Sequence, residues 1–406
     1  MQTNLADFIR NTAEGEVAEE MLNRCVHCGI CNAVCPTYRI TGDELDGPRG
    51  RIYQIKQVLE GAEASVSVQR HLDRCLNCLA CETVCPTKVE YGRLADVGRM
   101  VVDGQVRRPF GERVARKGLL RLLTHKDWFA PLYRLGRAAK SVLPARLKGL
   151  MLPNCDAGFV PDNEYPRQVL MLEGCMQPAM SPNVNAAVVR ILDKLGIQVI
   201  YSRFAGCCGS LNLHSGARGD GLDDMRRNID AWIPWLPDGI EAVVTADSGC
   251  GITVKDYGYY LRNDARYAEK AARISALAKD VVEVLDEEAE RLAALLGDRP
   301  AEKAVYHPPC TLQHGQKLKG SVEGLFAKLG IRLWLPEDVH ACCGGAGAYM
   351  LFEPGLSGQL KADKQASVGA LEPDVVLSAN LGCVVQLADG SPVPVRHWVE
   401  YLDGLL

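Results

Sequence analysis

Two short cysteine runs of identical spacing constrain this chain more than any other feature. Both runs read C-x2-C-x2-C-x3-C-P, and about fifty residues separate them. Cysteines two residues apart in a tight loop can reach three irons of one cubane face, while the fourth lies one turn further on and points away. The proline then fixes φ after the last cysteine. The runs comprise Cys25, Cys28, Cys31 and Cys35 before Pro36, and Cys75, Cys78, Cys81 and Cys85 before Pro86.

This spacing is typical of proteins that hold two [4Fe–4S] clusters, in which the fourth cysteine of each run binds the other cluster. An all-cysteine zinc site is the alternative, but zinc sites rarely use two such four-cysteine runs. Arg49 and Arg51 could donate hydrogen bonds toward cluster sulfurs or could be solvated loop charges. We interpret His27 and His71 as surface or packing residues. The predicted ligands are Cys25, Cys28, Cys31 and Cys85 for cluster 1, and Cys75, Cys78, Cys81 and Cys35 for cluster 2.

The overall composition favours a cytoplasmic protein. Seventeen cysteines in a reducing compartment indicate metal or redox chemistry rather than disulfides. The chain has no apolar run of membrane-spanning length, and its polar N-terminus does not read as a secretory signal. A net charge of −4 and a pI of about 6.1 argue against nucleic-acid binding. We therefore expect a cytoplasmic location, with peripheral contact at the inner membrane as a further option.

An internal repeat occupies the C-terminal part of the chain. In each copy, thirty-one residues separate a single cysteine from a Cys-Cys-Gly motif, and another cysteine follows. We expect these cysteines to be metal ligands or redox thiols, with buried inert cysteine as the alternative. Cys155 belongs to no group. The repeat cysteines are Cys175, Cys207, Cys208 and Cys250 in the first copy, and Cys310, Cys342, Cys343 and Cys383 in the second.

Each copy alternates apolar strand-like segments with amphipathic helical ones, which predicts βαβ units with parallel sheets. Ligands in such sheets lie at the carboxyl ends of the strands, where all eight cysteines fall. Gly209 and Gly344 would relieve the strain of turning two adjacent cysteines toward one site. The predicted strands are 167–174, 197–202, 241–247, 303–309, 331–336 and 374–380, and the predicted helices are 183–196 and 320–330.

The predicted fold class is therefore multidomain α+β, with a mainly helical two-cluster region followed by two α/β repeats. The predicted domains are a cluster domain at 1–100, a basic helical connector at 101–166, a first repeat at 167–300 and a second repeat at 301–406. Residues 101–151 contain twelve Lys and Arg but only three Asp and Glu. Pro131 and Pro144 are expected to divide this segment into two short helices that pack on the next domain. Contact with a membrane or partner is the alternative.

No flavin, NAD or P-loop motif is found, so we expect no organic cofactor on this chain. His307, His314 and His340 lie near cysteines of the second copy in the sequence and could tune a metal centre or move protons. Packing is the simpler role for each of them.

Together, CVHCGICNAVCPTYRITGDELDGPRGRIYQIKQVLEG, HLDRCLNCLACETVCPTKVEYG, VLMLEGCMQP and VRHWVE resemble the iron–sulfur subunits of glycolate oxidases. Related subunits occur in heterodisulfide reductase, anaerobic glycerol-3-phosphate dehydrogenase and lactate-utilisation systems. The resemblance implies that a partner subunit carrying FAD oxidises glycolate or another 2-hydroxy acid. It also implies that this chain passes the electrons to a quinone-type membrane acceptor and supplies no catalytic acid, base or nucleophile.

One departure from the related subunits concerns the last cysteine of each repeat. In the heterodisulfide reductase branch that cysteine belongs to a C-x2-C pair, whereas Cys250 and Cys383 have no second cysteine after them. A further iron–sulfur cluster at the repeats is therefore an open expectation. A catalytic disulfide- or quinone-reducing site in the repeats, a lactate or glycerol-3-phosphate dehydrogenase subunit, and a scaffold docked through 101–151 stay as alternatives.

Overall fold

The N-terminal region of the computed structural model, which describes residues 1–297 and 301–406, is helical. Thr12 caps the first helix by accepting a hydrogen bond from the Gly15 amide at 3.0 Å, and Pro48 begins the third at a position where its missing N–H costs nothing. These helices pack around one apolar core that also holds cysteines of both runs. The helices are α1 (Ala13–Arg24), α2 (Pro36–Thr41), α3 (Pro48–Leu59), α4 (Val66–Asp73), α5 (Ala80–Thr83) and α6 (Tyr91–Gln105).

The connector forms helices α7 (Phe110–Thr124), α8 (Lys126–Ala138) and α9 (Ala145–Lys148). The prediction that Pro131 breaks the helix is wrong, because the break falls at His125 and α8 runs through Pro131. Buried Phe129 and Tyr133 anchor α8 on both sides of the proline, and this packing outweighs the one lost backbone hydrogen bond.

The same α8 side chains pack against the repeats, as the connector interpretation predicts. Phe129 and Tyr133 share an apolar cluster with Met180 and Val384 of the two repeats. Phe110 and other large apolar residues of the connector are exposed. Within the described residues, no helix is both long enough and apolar enough to span a bilayer.

The first repeat contains a four-stranded parallel sheet in the order β2-β1-β3-β4. Strands β1 (Arg167–Leu172), β2 (Ile197–Ile200) and β3 (Ala242–Thr245) fall where the sequence predicts them, whereas β4 (Ala278–Asp280) was not foreseen. The helices are α10 (Gln177–Met180), α11 (Pro182–Lys194), α12 (Ser210–His214), α13 (Arg218–Trp232), α14 (Ser248–Lys255), α15 (Tyr257–Tyr260), α16 (Ala268–Leu277), α17 (Val281–Glu287) and α18 (Ala289–Leu295).

The second repeat contains a three-stranded parallel sheet in the order β5-β6-β7. The strand predicted at 331–336 is wrong, because that segment meets β5 only at one bridge between Trp334 and Val305. Pro336 has no N–H with which to extend the ladder. The predicted boundary at residue 300 lies outside the described residues. The elements are β5 (Ala304–His307), α19 (Ser321–Lys328), α20 (Tyr349–Phe352), α21 (Pro354–Gly369), β6 (Val375–Ser378), α22 (Leu381–Ala388), β7 (Val395–His397) and α23 (Trp398–Asp403).

The two repeats share one hydrophobic core, so they fold against each other rather than as separate units. Val169 of β1 and Tyr306 of β5 belong to the same buried cluster. At the carboxyl ends of the strands, the Ser248 amide donates to the Ala379 carbonyl across the junction at 3.1 Å. This hydrogen bond joins the edges of the two sheets that carry the cysteines. These edges are the carboxyl ends of the strands, where ligands bind in parallel sheets.

A fully buried carboxylate connects the two cysteine runs. Asp46 accepts from Arg74 at 2.8 Å and lies 2.8 Å from the His71 ring nitrogen, and the buried Arg51 guanidinium is 3.7 Å away. Arg51 also donates to the His71 carbonyl at 2.7 Å. Because a buried charge is stable only when paired, the loop after the first run and the helix before the second are held together.

Replacing Asp46 with Ala should therefore destabilise the N-terminal region by about 3–5 kcal/mol, since the buried Arg51 loses its charge partner. Urea unfolding, followed by loss of the visible absorbance of the metal centres, measures the change. The matched control is Glu20→Gln, which removes an exposed ion pair with Arg24 and should cost less than about 1 kcal/mol. Equal effects of the two changes would contradict the assigned role of Asp46.

Candidate iron–sulfur and cysteine-rich sites

The first site is a small cavity lined by cysteines from both runs. Its volume is about 30 Å³, and apolar residues such as Ile52 and Val89 complete its wall. Cys28 is exposed, so this cavity lies close to the protein surface. The lining includes the four sulfur residues predicted for cluster 1, together with Cys81: Cys25, Cys28, Cys31 and Cys85.

The second site is a cavity of about 20 Å³ on the other side of Cys81. Leu76, Tyr91 and Arg51 also line it. The geometry thus groups the fourth cysteine of the first run with the second run. The lining includes the four residues predicted for cluster 2: Cys35, Cys75, Cys78 and Cys81.

The chemistry of both cavities fits an iron–sulfur cluster. Burial raises the pKa of Cys31 to about 11, and the neighbouring Cys25 adds to this shift. Burial also raises the pKa of Cys78 and Cys81 well above the usual thiol value. These thiols become thiolates only when bound cations displace their protons. Two sets of four cysteines, each around one small cavity, are the donor sets that iron–sulfur clusters use.

Two arginines give the second cavity a positive environment. Burial alone would raise the pKa of Cys75, but the charges of Arg51 and Arg99 lower it below the usual value. Arg51 is 1% exposed and lies 4.0 Å from the Cys35 sulfur, so it is not a solvated loop charge and stays within reach of that sulfur. Arg49 pairs with Glu44 at 2.6 Å and lines the first cavity, so its role toward the sulfurs stays a prediction.

The two histidines near the runs have packing and surface positions, as interpreted from the sequence. His27 is exposed and stacks on Tyr53 with ring centroids 5.9 Å apart. His71 is buried and its ring nitrogen contacts Asp46.

A third and larger cavity, of about 360 Å³, lies between the N-terminal region and the two repeats. Cys75 of the second run also lines this cavity, so it adjoins the second site. All the repeat cysteines that the sequence singles out are brought to this one space, at the carboxyl ends of the strands: Cys175, Cys207, Cys208, Cys250, Cys310, Cys342, Cys343 and Cys383.

The Cys-Cys-Gly motifs turn through glycines with left-handed backbone, as the strain argument predicts. Gly209 has φ +95° and Gly344 has φ +83°. A Cβ on Gly344 would lie 2.6 Å from the Ser357 carbonyl oxygen, so the turn also needs the space. The Gly344 amide lies 3.4 Å from the Cys342 sulfur. Glycine therefore lets the loop present both thiols to the cavity.

The vicinal thiols of the first repeat favour a thiolate at Cys207. Hydrogen bonds from Cys175 and Cys208 lower the pKa of Cys207 well below the usual value and outweigh its burial. The same contacts raise the pKa of Cys175 and Cys208. A stabilised thiolate among protonated thiols suits metal binding or redox exchange.

Two partly buried acids, Asp247 and Glu82, line this cavity and were not predicted from the sequence. Asp247 accepts from the Leu381 amide of the other repeat at 2.7 Å and from the Asn380 side chain at 3.1 Å. Burial raises the pKa of Glu82 to about 7. Asp247 precedes helix α14, so its N-cap position was a usable signal, whereas nothing local marks Glu82.

The histidines of the second repeat differ in position. His307 is buried beside Cys343 and Cys383, and burial lowers its pKa to about 3, so its ring is neutral. His314 contacts Thr83 at 2.8 Å, and its ring is 5.9 Å from that of His340. Cys155 lies 3.7 Å from the Glu400 carboxylate, away from the cavity.

These sites define an iron–sulfur protein with a dicluster region and two cysteine-rich repeats. The 4Fe-4S dicluster domain family matches residues 21–89, and the cysteine-rich CCG domain family matches 169–255 and 304–388.

Similarity to individual proteins, two of which match nearly the whole chain, defines the family more closely. The chain is 46% identical to the glycolate oxidase iron–sulfur subunit of Escherichia coli (strain K12), over 100% of this chain and 99% of that protein. It is 30% identical to the probable glycolate oxidase iron–sulfur subunit of Bacillus subtilis (strain 168), over 94% and 92% respectively. Lactate utilization protein A of Bacillus licheniformis is 28% identical over 56% of this chain and 96% of that protein. The chain belongs to the glycolate oxidase iron–sulfur subunit family.

The turn at the second Cys-Cys-Gly motif allows a direct test. Gly344→Ala should destabilise the protein by at least about 1–3 kcal/mol, because it combines left-handed backbone with a clash against a carbonyl oxygen. The matched control is Gly324→Ala, in an exposed part of helix α19 where an added Cβ meets nothing. That change should stabilise by about 0.4–1 kcal/mol. Urea unfolding by tryptophan fluorescence checks both, and equal destabilisation would contradict the argument.

Proposed function

We propose that this chain is the electron-transfer subunit of a complex that oxidises glycolate to glyoxylate. A partner subunit carrying FAD takes two electrons from glycolate, and this chain conducts them to a quinone-type membrane acceptor. Iron–sulfur clusters supply one-electron transfer when bound, and the residues of this chain position and tune them. Its location in this proposal is cytoplasmic, at the inner face of the membrane. The names of the full-length relatives support the substrate class.

One observation carries the proposal: each of the three cysteine-lined cavities shares a lining cysteine with the next. Cys81 lines both the first and the second cavity, and Cys75 lines both the second and the large repeat cavity. Cys78 also packs beside Cys310 and Cys342 of the second repeat. A path therefore leads from the exposed Cys28 to the repeats through adjacent sulfur residues.

The surface around Cys28 is suited to receive electrons from a partner protein. Val26 and Ile30, which flank it, have exposed fractions of 63% and 51%. Apolar side chains beside an exposed cysteine ligand would exclude water on docking and bring the partner's flavin close.

The charge distribution favours flow from the first cavity to the second. Arg51 lines the second cavity and shares the single charge of Asp46 with Arg74. Arg99 donates to the Asn77 side chain and the Cys75 carbonyl, so this group of arginines keeps a net positive charge that stabilises an added electron there. At the first cavity the nearby Arg49 is neutralised by Glu44. Positive charge and hydrogen bonds near sulfur raise a cluster's potential, so we expect the second cluster to have the higher potential.

We further propose that the chain holds two [4Fe–4S] clusters with exchanged fourth ligands. The double variant C25S/C35S then damages both clusters and should lose about eight irons relative to the parent. The matched variant C25S/C85S damages cluster 1 alone and should lose about four. Iron and acid-labile sulfide analysis of anaerobically purified protein makes the comparison. Without the exchange, the iron losses of the two double variants would be reversed.

The complex provides the test of function. In the holocomplex with its flavoprotein partner, glycolate should bleach the visible absorbance of the iron–sulfur centres and produce the EPR signal of reduced clusters. Ile30→Glu should slow that reduction by at least about tenfold, because it places a charge in the docking surface. Phe159→Glu alters an 80% exposed apolar residue of the linker, and it is the matched control. Glycolate oxidation that leaves these clusters oxidised at every time point would refute the proposal.

A second candidate function is favoured by the large cavity itself. Its vicinal thiols, with the stabilised thiolate of Cys207, and Glu82, with its pKa of about 7, could reduce a disulfide or quinone there. In that case Cys207→Ser should abolish acceptor reduction while glycolate still reduces both N-terminal clusters. Docking to the membrane through 101–151 is a further role. Arg113 and Lys117 are exposed there, whereas Arg116 pairs with Asp73.

A further inference from the structure

The second repeat contains a histidine where the first repeat has a hydrocarbon side chain. His307 ends strand β5 three residues before Cys310, and Leu172 ends strand β1 three residues before Cys175. The sheet registers agree, because His307 pairs with Ser378 of β6 as Leu172 pairs with Thr245 of β3. At this matching position only the second repeat therefore offers a ligand atom.

His307 lies against two cysteines of its own repeat. One ring nitrogen of His307 and the sulfurs of Cys343 and Cys383 all lie within 4.8 Å of one another. The exposed fractions of the three residues are 1%, 1% and 5%, and the two sulfurs are 3.1 Å apart. They come from a strand end, the Cys-Cys-Gly loop and the first turn of α22.

Both ring nitrogens of His307 lack a hydrogen-bond partner within the part of the chain that the structure describes. A buried imidazole without partners is costly, and native structures rarely leave such groups unsatisfied. A bound cation would give one of these nitrogens a partner.

The surroundings select the charge of the occupant. Val305, Val376 and Leu387 pack around the two cysteines. The nearest charges on the His307 side are the buried Lys364 and its partner Asp338, which are 2.9 Å apart and cancel each other. Two thiolates and one neutral imidazole carry two negative charges, which a divalent ion cancels. A neutral assembly is the form that an apolar interior tolerates best.

We propose that His307, Cys343 and Cys383 bind a thiophilic divalent ion, of which Zn²⁺ is the best match. Two sulfurs and one imidazole are a ligand set that zinc uses, with its fourth position left to another ligand. Cys343 and Cys383 also line the large cavity, so the fourth position can face that space. The ion would withdraw these two cysteines from the electron path. The proposal does not depend on glycolate as substrate.

Elemental analysis of the full-length, anaerobically purified chain after addition of Zn²⁺ and removal of loosely bound metal tests the site. The parent should retain one more zinc per chain than His307→Leu, which reproduces the side chain of the first repeat. Zinc affinity should fall by at least about tenfold in that variant. Iron content should stay unchanged, which reports that the rest of the protein has folded.

Two further variants separate ligation from packing. His307→Cys provides a different ligand atom at the same position and should restore zinc binding, which a purely structural role of histidine would not allow. His340→Leu changes an exposed neighbouring histidine outside the ligand set and should retain the zinc of the parent. Co²⁺ difference spectra of the same proteins should show thiolate-to-cobalt charge transfer in the parent and a weaker band in His307→Leu.

The proposal is overturned if the parent retains no zinc, or if His307→Leu binds zinc as tightly as the parent. Loss of iron together with zinc in His307→Leu would also overturn it, because the histidine would then support an iron–sulfur centre. None of these outcomes bears on whether glycolate reduces the N-terminal clusters, so the two proposals fail separately.

Discussion

The buried pairing of Arg51 with Asp46 is the interaction on which the arrangement of the N-terminal sites depends. The Arg51 guanidinium lies between the two cysteine runs and donates to the Thr37 hydroxyl at 3.1 Å as well as to the His71 carbonyl. A buried charge is unstable without its partners, so the two runs pack in the arrangement that keeps Arg51 paired. That arrangement places Cys35 beside the second run and gives the second cavity its positive charge.

The same charges and contacts order the three cavities along one direction. The first lies beside the exposed Cys28, the second is lined by the buried Arg51, and the third joins the repeats. In the proposed direction of transfer, an electron therefore moves from the surface toward the positive charge at the second cavity. The acid of Glu82, with its pKa raised by burial, adjoins the inner end, where charge arriving in the large cavity can be balanced by a proton.

Local patterns in the sequence predict the cysteine groups and the parallel sheets, because ligand spacing and strand periodicity depend on neighbouring residues. Features set by packing between distant segments escape such patterns. Pro131 stays inside a helix because Phe129 and Tyr133 find a buried cluster, and 331–336 fails as a strand because only Trp334 reaches β5. Likewise, the contact between Asp247 and Leu381, which are 134 residues apart, has no local signal in the sequence.

Duplication gave this chain two matching sheet edges, and single substitutions made them chemically unequal. Asp247 in the first repeat matches Asn380 in the second, and the two side chains bond to each other at the junction. Two aspartates facing each other there would repel, whereas an acid and an amide hold the repeats together. Leu172 and His307 differ at the same edge. At this position the second repeat thus has a ring nitrogen beside the sulfurs of Cys343 and Cys383, whereas the first repeat has only hydrocarbon, so the two matching edges are not chemically equivalent.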